Sequence, residues 1–153
     1  MSAYGIDGET AENHPDIEKQ WAVVAFHHAE TYGNLIKNFN PQKLRLTKEE
    51  DTLYAAFRAS FPKLNVQVLN EYTDFKCDEA KAAWRAWIKP FETTVPDFNF
   101  ATMLRIRANE DYSGDNAFLV TRVQFYAIEI ARNREGANQP MWKDYHQEEA
   151  ASR

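Results

Sequence analysis

The chain has 153 residues, a length typical of one domain rather than two. Hydrophobic residues make up 44% and aromatic residues 14% of the sequence, which excludes a disordered chain. The 18 basic residues are outnumbered by 23 acidic ones, which gives a net charge of −5. Because an acidic chain offers no general attraction to nucleic acid or anionic lipid, we expect no direct nucleic-acid binding and no membrane partner.

The two ends of the sequence differ from its middle. Residues 1–14 are polar and acidic without periodicity, which predicts a flexible acidic arm and not a secretory signal. Residues 15–138 are expected to form a single globular domain, and residues 139–153 a polar C-terminal tail with one aromatic anchor. A single cysteine, Cys77, cannot form an internal disulfide, which fits a reducing compartment. We expect a cytoplasmic location, with the nucleus left open.

The first two helices are predicted from their apolar spacing. The first is expected over residues 15–39, where apolar residues recur at steps of three and four on one helix face: Ile17, Trp21, Val24, His28, Tyr32, Leu35 and Phe39. The second is expected to open with a capping box between Thr47 and Glu50 and to end at Pro62. Its predicted buried stripe consists of Leu53, Phe57 and Phe61.

A third helix is predicted from Asp78, a good N-cap residue, to Phe91, and Pro90 should kink or end its last turn. Before this helix, residues 64–68 alternate apolar and polar side chains. That alternation predicts a short strand or an extended connector.

The remaining elements lie after residue 97. The polar stretch 109–116 separates two apolar runs, which predicts a β-hairpin; a helix at residues 98–104 is the alternative. A last helix is predicted from Thr121 to Glu135, apolar over so much of its circumference that it should be central, with Gly136 as its left-handed cap. The expected fold is therefore mainly α, a small single-domain helical bundle with a minor β-hairpin.

Motifs that carry chemistry are missing from the sequence. It holds no cysteine pair, HExxH, EF-hand loop, P-loop, GxGxxG or GxSxG, so we predict no catalytic residues, no metal site and no cofactor. His28 lies on the apolar stripe and is expected to be a hydrogen-bonded packing residue, with a ligand or acid–base role as the alternative. Cys77 has acidic neighbours that disfavour a thiolate, so an inert thiol is expected.

Charged residues in the last helix are the remaining candidates. Glu129 and Arg132 are three residues apart and can pair across one helical turn, either as an ion pair that orients the helix or as an anchoring or acid–base group. Arginines are concentrated in the hairpin and this helix and could converge on one recognition patch, or simply form a solvated face: Arg105, Arg107, Arg122, Arg132 and Arg134. The candidate partner-binding residues are Arg105, Glu129, Arg132, Asn133 and Arg134.

The segment at residues 124–136, QFYAIEIARNREG, closely resembles the signature of the polysaccharide-biosynthesis-domain-containing protein family of eukaryotes. Further landmarks of that family appear in order, among them His28–Tyr32, Trp84–Arg85 and Asp97–Phe100, so the resemblance spans about residues 14–138. Two positions depart from the family pattern: Ala83 stands where lysine is usual, and Ala101 where glycine is common.

The resemblance implies a dedicated, ATP-independent chaperone of translation elongation factor 1-alpha. Such a protein would hold the nascent GTP-binding domain until that domain takes up GTP, and would work at the ribosome with the nascent polypeptide-associated complex. A general protein-interaction adaptor is the first alternative. An enzyme of polysaccharide biosynthesis is a second alternative, although the sequence has neither a DxD pair nor a glycine-rich phosphate loop.

Overall fold

The computed structural model describes residues 15–151 and confirms a mainly helical single domain with a two-stranded antiparallel sheet. Its helices are α1 (Pro15–Asn38), α2 (Glu50–Ser60), α3 (Asp78–Ile88), α4 (Arg122–Glu135) and α5 (Gln139–Ala151). Its strands are β1 (Ala101–Arg105) and β2 (Ala117–Thr121). Short helical turns lie at Pro41–Lys43, Tyr72–Lys76 and Lys89–Phe91. The flexible arm predicted for residues 1–14 lies outside the described residues.

Helix α4 is the centre of the fold, as its sequence predicts. It packs against α2 and against both strands, and most of its residues are buried. Thr121 caps the start of α4 through a capping box with Gln124, and Gly136 ends it with a φ of 85°. The two strands that precede α4 form the predicted hairpin, so the alternative of a helix at residues 98–104 is wrong.

Helix α1 buries only part of the predicted stripe: Tyr32 is buried as predicted, and His28 and Leu35 are half-buried. Ala25, Ala29, Tyr32 and Ile36 point into the core, whereas Val24 and Phe39, both predicted for the stripe, are exposed. Small side chains let α1 approach β1 and α5 closely, and this contact decides the rotation of the helix more than the summed apolarity of a face. Ile17 and Trp21 lie outside the residues whose side chains the structure describes.

The capping box predicted at the start of α2 is wrong. The Glu50 carboxylate accepts a hydrogen bond from the Leu46 amide at 2.8 Å, and the Thr47 hydroxyl accepts one from the Glu49 amide at 3.4 Å. The same side chains therefore close a tighter turn before the helix. The predicted stripe of α2 is confirmed at Leu53 and Phe57, both fully buried.

The segment after residue 138, predicted as a polar C-terminal tail, is helical over most of its length. Residues 139–151 continue as helix α5, which packs against α1. Met141 is buried. Helix α5 was missed because only this residue and the half-buried Trp142 and Tyr145 mark an apolar face within a polar segment.

An aromatic cluster joins α3 to the segment before it. The Trp84 ring stacks on Phe61 and on Phe75, with centroids 4.3 and 5.2 Å apart, and its Nε1 donates a hydrogen bond to the Asp74 carbonyl at 2.8 Å. This contact holds the single π-helical turn Tyr72–Lys76 in place. Helix α3 starts one residue earlier than an Asp78 cap predicts, with Cys77 in the cap position, and gives way to a 3-10 turn around Pro90.

Replacing Gly136 by alanine is expected to lower the free energy of unfolding by about 1 kcal/mol, because a Cβ is disfavoured at positive φ. The matched control is Gly114→Ala, since nothing lies within 4 Å of the position where its Cβ would be. Urea denaturation measures both variants. Equal stability of the two variants would contradict the strain argument.

Candidate functional site

A buried carboxylate lies at the centre of α4 and holds two arginines. Glu129 Oε2 is 2.8 Å from Arg132 Nη1, one turn along the helix, which confirms the ion pair predicted from spacing. Arg105 Nη2, from the end of β1, lies 3.1 and 3.2 Å from the two Glu129 oxygens. All three side chains have 0% exposure.

Neutral polar groups complete the hydrogen bonding of the carboxylate. Glu129 Oε1 accepts bonds from the Tyr32 hydroxyl at 3.0 Å and from Asn138 Nδ2 at 2.9 Å. Asn133 Nδ2 donates to the Tyr32 oxygen, while its Oδ1 accepts from Asn138 Nδ2. Asn138 Oδ1 in turn accepts from Arg105 Nη2 at 2.7 Å. We call these six side chains the Glu129 network: Tyr32, Arg105, Glu129, Arg132, Asn133 and Asn138.

The arginines of the Glu129 network also bind the backbone of distant segments. Arg132 donates to the carbonyl of Val66 at 2.6 Å and to that of Ile106 at 3.1 Å. Arg105 Nη1 donates to the Ala108 carbonyl at 2.6 Å. The Arg132 bonds fix residues 66 and 106 to α4, and the Arg105 bond holds residue 108 to the end of β1. Together they satisfy most of the guanidinium donors that burial removes from water.

Electrostatics inside the Glu129 network favours the ionised carboxylate. Burial alone would raise the pKa of Glu129, but the charges of Arg105 and Arg132 outweigh it and lower the pKa to about 2. Burial, followed by the charge of the same carboxylate, raises the pKa of Tyr32, so this hydroxyl stays a donor. The network therefore holds one negative and two positive charges in the core.

The structure corrects the surface placement of the candidate partner-binding residues. Arg105, Glu129, Arg132 and Asn133 are enclosed, with exposed fractions of 0 to 2%, so in this conformation they offer a partner no accessible surface. Arg134 is partly exposed and contacts Glu50 and Asp51 on α2. Partner binding through these five residues stays a prediction, and only Arg134 is placed to make a direct contact.

The other two clustered arginines do not join the Glu129 network. Arg107 pairs with Glu110, and Arg122 lies 3.6 Å from Asp97. The single patch that the arginine concentration suggested therefore divides into a buried pair and separate surface ion pairs.

A groove that the sequence did not predict lies between α1 and the loop at residues 109–116. It has a volume of about 400 Å³ and its surface is mainly apolar, although Glu30, Asn34 and Ser113 also line it. The lining side chains that carry its apolar character are those of Phe26, Ala29, Met103, Tyr112 and Ala117. At its side, Lys37 Nζ and Asp111 Oδ2 are 2.7 Å apart and join the helix to the loop. We call it the α1 groove.

The loop that forms one wall of the α1 groove is held rigidly. Asn116 is fully buried and donates to the carbonyls of Arg107, Glu110 and Asp111, which closes the loop on itself. The Tyr112 ring lies 5.7 Å from the guanidinium carbon of Arg105, so this wall rests on the Glu129 network. Gly33 allows the approach, because a Cβ there would lie 3.2 Å from Asp111 Oδ1.

The apolar face of α1 continues beyond the groove into solvent. Val23 is 51% exposed and Phe26 is 56% exposed. The stripe predicted for α1 included neither Val23 nor Phe26, and the sequence analysis gave these two residues no surface role. The signal available was the run of small residues at Ala25, Ala29 and Gly33, which marks the closely packed face instead.

The other candidates for chemistry have structural surroundings. His28 is half-buried, edge-on to Phe125 at 5.0 Å, and burial followed by the charge of Arg122 lowers its pKa. Its Nδ1 has no hydrogen-bond partner among the described residues, so packing is observed but the expected bond to this atom is not. Cys77 Sγ lies 3.6 Å from the Thr73 carbonyl. Within residues 15–151, no cluster of His, Cys, Asp or Glu is arranged to hold a metal ion.

Fold and sequence together define the class of protein. Residues 17–143 match the family described as PBDC1 protein. Protein PBDC1 of Homo sapiens is 42% identical over 140 residues, which are 92% of this chain and 60% of the human protein. The PBDC1 homolog of Saccharomyces cerevisiae is 44% identical over 136 residues, 87% of this chain and 93% of the yeast protein.

A solved structure agrees with the fold. The solution NMR structure of a Saccharomyces cerevisiae protein, 42% identical, superimposes with a TM-score of 0.79 and covers 90% of this chain and 97% of its own. The chain belongs to the PBDC1 family, which confirms the resemblance noted in the sequence. It spans 60% of the length of the human relative and 65% of the mouse relative. Among the described residues, no helix is both long and apolar enough to cross a membrane.

Proposed function

We propose that this protein is a binding protein without catalytic activity: an ATP-independent, co-translational chaperone of the nascent GTP-binding domain of translation elongation factor 1-alpha. It holds that domain in the cytoplasm until GTP is taken up. It works at the ribosome with the nascent polypeptide-associated complex. Membership of the PBDC1 family and the resemblance at residues 124–136 support the proposal.

The observation that carries the proposal is the α1 groove with the exposed apolar face beside it. Contiguous apolar surface on a folded domain marks a place for another polypeptide. Phe26 borders a groove large enough for apolar side chains, and Val23 extends the surface along the helix. A partly folded domain exposes such side chains and is therefore the kind of client this surface fits.

The Glu129 network supports client binding by keeping the groove in one shape. Arg105 underlies Tyr112, and its bond to the Ala108 carbonyl holds the start of the loop. A wall that is ordered before binding does not lose conformational entropy when a client arrives. We propose that Arg105, Glu129, Arg132 and Asn133 act in this indirect way, and that Arg134 contacts the client or a ribosomal factor directly.

Replacing Phe26 by aspartate is expected to reduce client capture at least tenfold, because a carboxylate cannot be buried against an apolar partner without a large desolvation cost. The test uses stalled ribosomes that carry the GTP-binding domain of elongation factor 1-alpha and measures how much purified protein co-sediments with them.

The matched control for this test is Phe39→Asp. Phe39 lies just after α1 and is 59% exposed, like Phe26, but it does not line the groove. Both variants should retain the circular dichroism of the parent chain. Equal capture by the two variants would contradict the placement of the client in the groove. Capture of mature elongation factor, but not of nascent chains, would favour an adaptor instead.

A further inference from the structure

The outer edge of β2 has open backbone groups. The strand pairs with β1 on one side only. The Ile106 amide donates to the Asn116 carbonyl, so the backbone groups of Asn116, and of every second residue after it, face β1. Because backbone groups alternate sides along a strand, those of Ala117 and Leu119 point away from β1. The Leu119 carbonyl accepts only the Lys76 ammonium, at 3.4 Å, and the Leu119 amide has no partner among the described residues.

A row of cations begins at this edge and continues along α3. Lys76 and Lys81 line a depression of about 340 Å³ together with Leu119 and Thr121. Arg85 and Lys89 follow at four-residue steps, so they lie on the same side of the helix as Lys81. None of these four basic side chains forms an ion pair with any described residue, although the chain carries a net charge of −5.

Protection of the strand edge against aggregation does not account for all four basic residues. One lysine beside a short edge strand is a common protection against aggregation, and Lys76 alone would provide it. Lys81 and Arg85 lie on α3 and Lys89 lies in the turn that follows it, and none of the three donates a hydrogen bond to the strand's open groups. Asp78 and Glu79 occupy the first turn of α3, but neither is within ion-pair distance of these cations.

We propose that the outer edge of β2 is a docking strip for an extended acidic segment of a partner protein. The segment adds to β2 as a third strand, using the open groups of Leu119 and Ala117. Its carboxylates meet Lys76 and Lys81 first and Arg85 beyond them. The open edge favours a polypeptide over RNA, because a strand supplies both amides and carbonyls in the register that β2 requires. The strip shares Ala117 with the α1 groove, but its lysines lie outside that groove and the proposal does not depend on the proposed client.

The test measures binding of a fluorescein-labelled, end-blocked heptapeptide of alternating glutamate and valine to the full chain by fluorescence anisotropy. The double variant Lys76→Glu/Lys81→Glu is expected to weaken binding at least tenfold. The control Lys43→Glu/Lys48→Glu makes the same change of charge at exposed positions elsewhere and should bind like the parent. Higher salt should weaken binding of the parent chain.

A second peptide separates strand addition from charge attraction. N-methylation at alternate residues keeps every carboxylate but removes the amides that would pair with β2, so its affinity should fall at least tenfold. In ¹⁵N-labelled protein, the amide signal of Leu119 should shift with the first peptide only. Equal binding of both peptides, no binding of either, or tighter lysine-dependent binding of a heptauridine RNA would overturn the proposal.

Discussion

Replacing Glu129 by glutamine is expected to lower the free energy of unfolding by about 3–5 kcal/mol, because it leaves two buried arginines without their counter-charge. Glutamine keeps the shape of the side chain, so no cavity contributes to the loss. Arg105 and Arg132 have no exposure and cannot turn to water without breaking their bonds to backbone carbonyls. Urea denaturation followed by circular dichroism measures the change.

The control for this prediction is Glu79→Gln, an exposed glutamate in the first turn of α3, which should change stability by less than about 0.5 kcal/mol. The pH dependence gives an independent readout. The folded pKa of Glu129 is about 2, below its ordinary 4.5, so its contribution is complete above pH 4.5 and is lost as pH falls toward 2. The stability gap between parent and variant should therefore narrow over that range. A stability difference that stays constant over this pH range would contradict the role of the ionised Glu129 carboxylate.

Replacing Trp84 by alanine is expected to cost about 3–5 kcal/mol of unfolding free energy, as for other large aromatic residues removed from a core. Trp84 is 2% exposed and stacks on both Phe61 and Phe75. The change also removes the donor to the Asp74 carbonyl, so the turn before α3 loses its anchor. Chemical denaturation measures the loss.

Trp84→Phe separates the two contributions. Phenylalanine keeps most of the stacking but leaves the Asp74 carbonyl without its bond, at a cost of about 1–2 kcal/mol. Phe39→Ala, at an exposed position, should cost less than about 0.5 kcal/mol. Equal losses of stability in Trp84→Phe and Trp84→Ala would contradict the proposed role of aromatic stacking, because only the phenylalanine variant keeps a ring in the cluster.

Local signals predicted the elements of this fold well. The apolar periodicity of residues 121–135 and the glycine that follows them predicted α4 and its cap, and the polar stretch 109–116 predicted the hairpin. The ion pair of Glu129 with Arg132 was predictable because both lie on one helix, three residues apart. Each of these features depends on neighbours within a few positions of the chain.

Features set by distant contacts were not predictable in this way. Arg105 joins Glu129 across 24 residues, and nothing in the spacing distinguishes it from Arg107, which pairs at the surface. The rotation of α1 depends on the close approach of β1 and α5, so Val24 was predicted to lie in the buried stripe although it is exposed. The α1 groove depends on the long-range contact of Arg105 and on the rotation of α1. Neither feature is a local property of the sequence.

The position of Glu129 in the chain has a consequence for synthesis on the ribosome. The carbonyl at Val66 and the guanidinium of Arg105 leave the exit tunnel before the α4 residues that bind them. A growing chain that ends before α4 would have to bury Arg105 without any counter-ion, which is strongly unfavourable. The domain therefore cannot fold fully until α4 has been synthesised. Until then the protein itself is an incompletely folded nascent chain with exposed core residues.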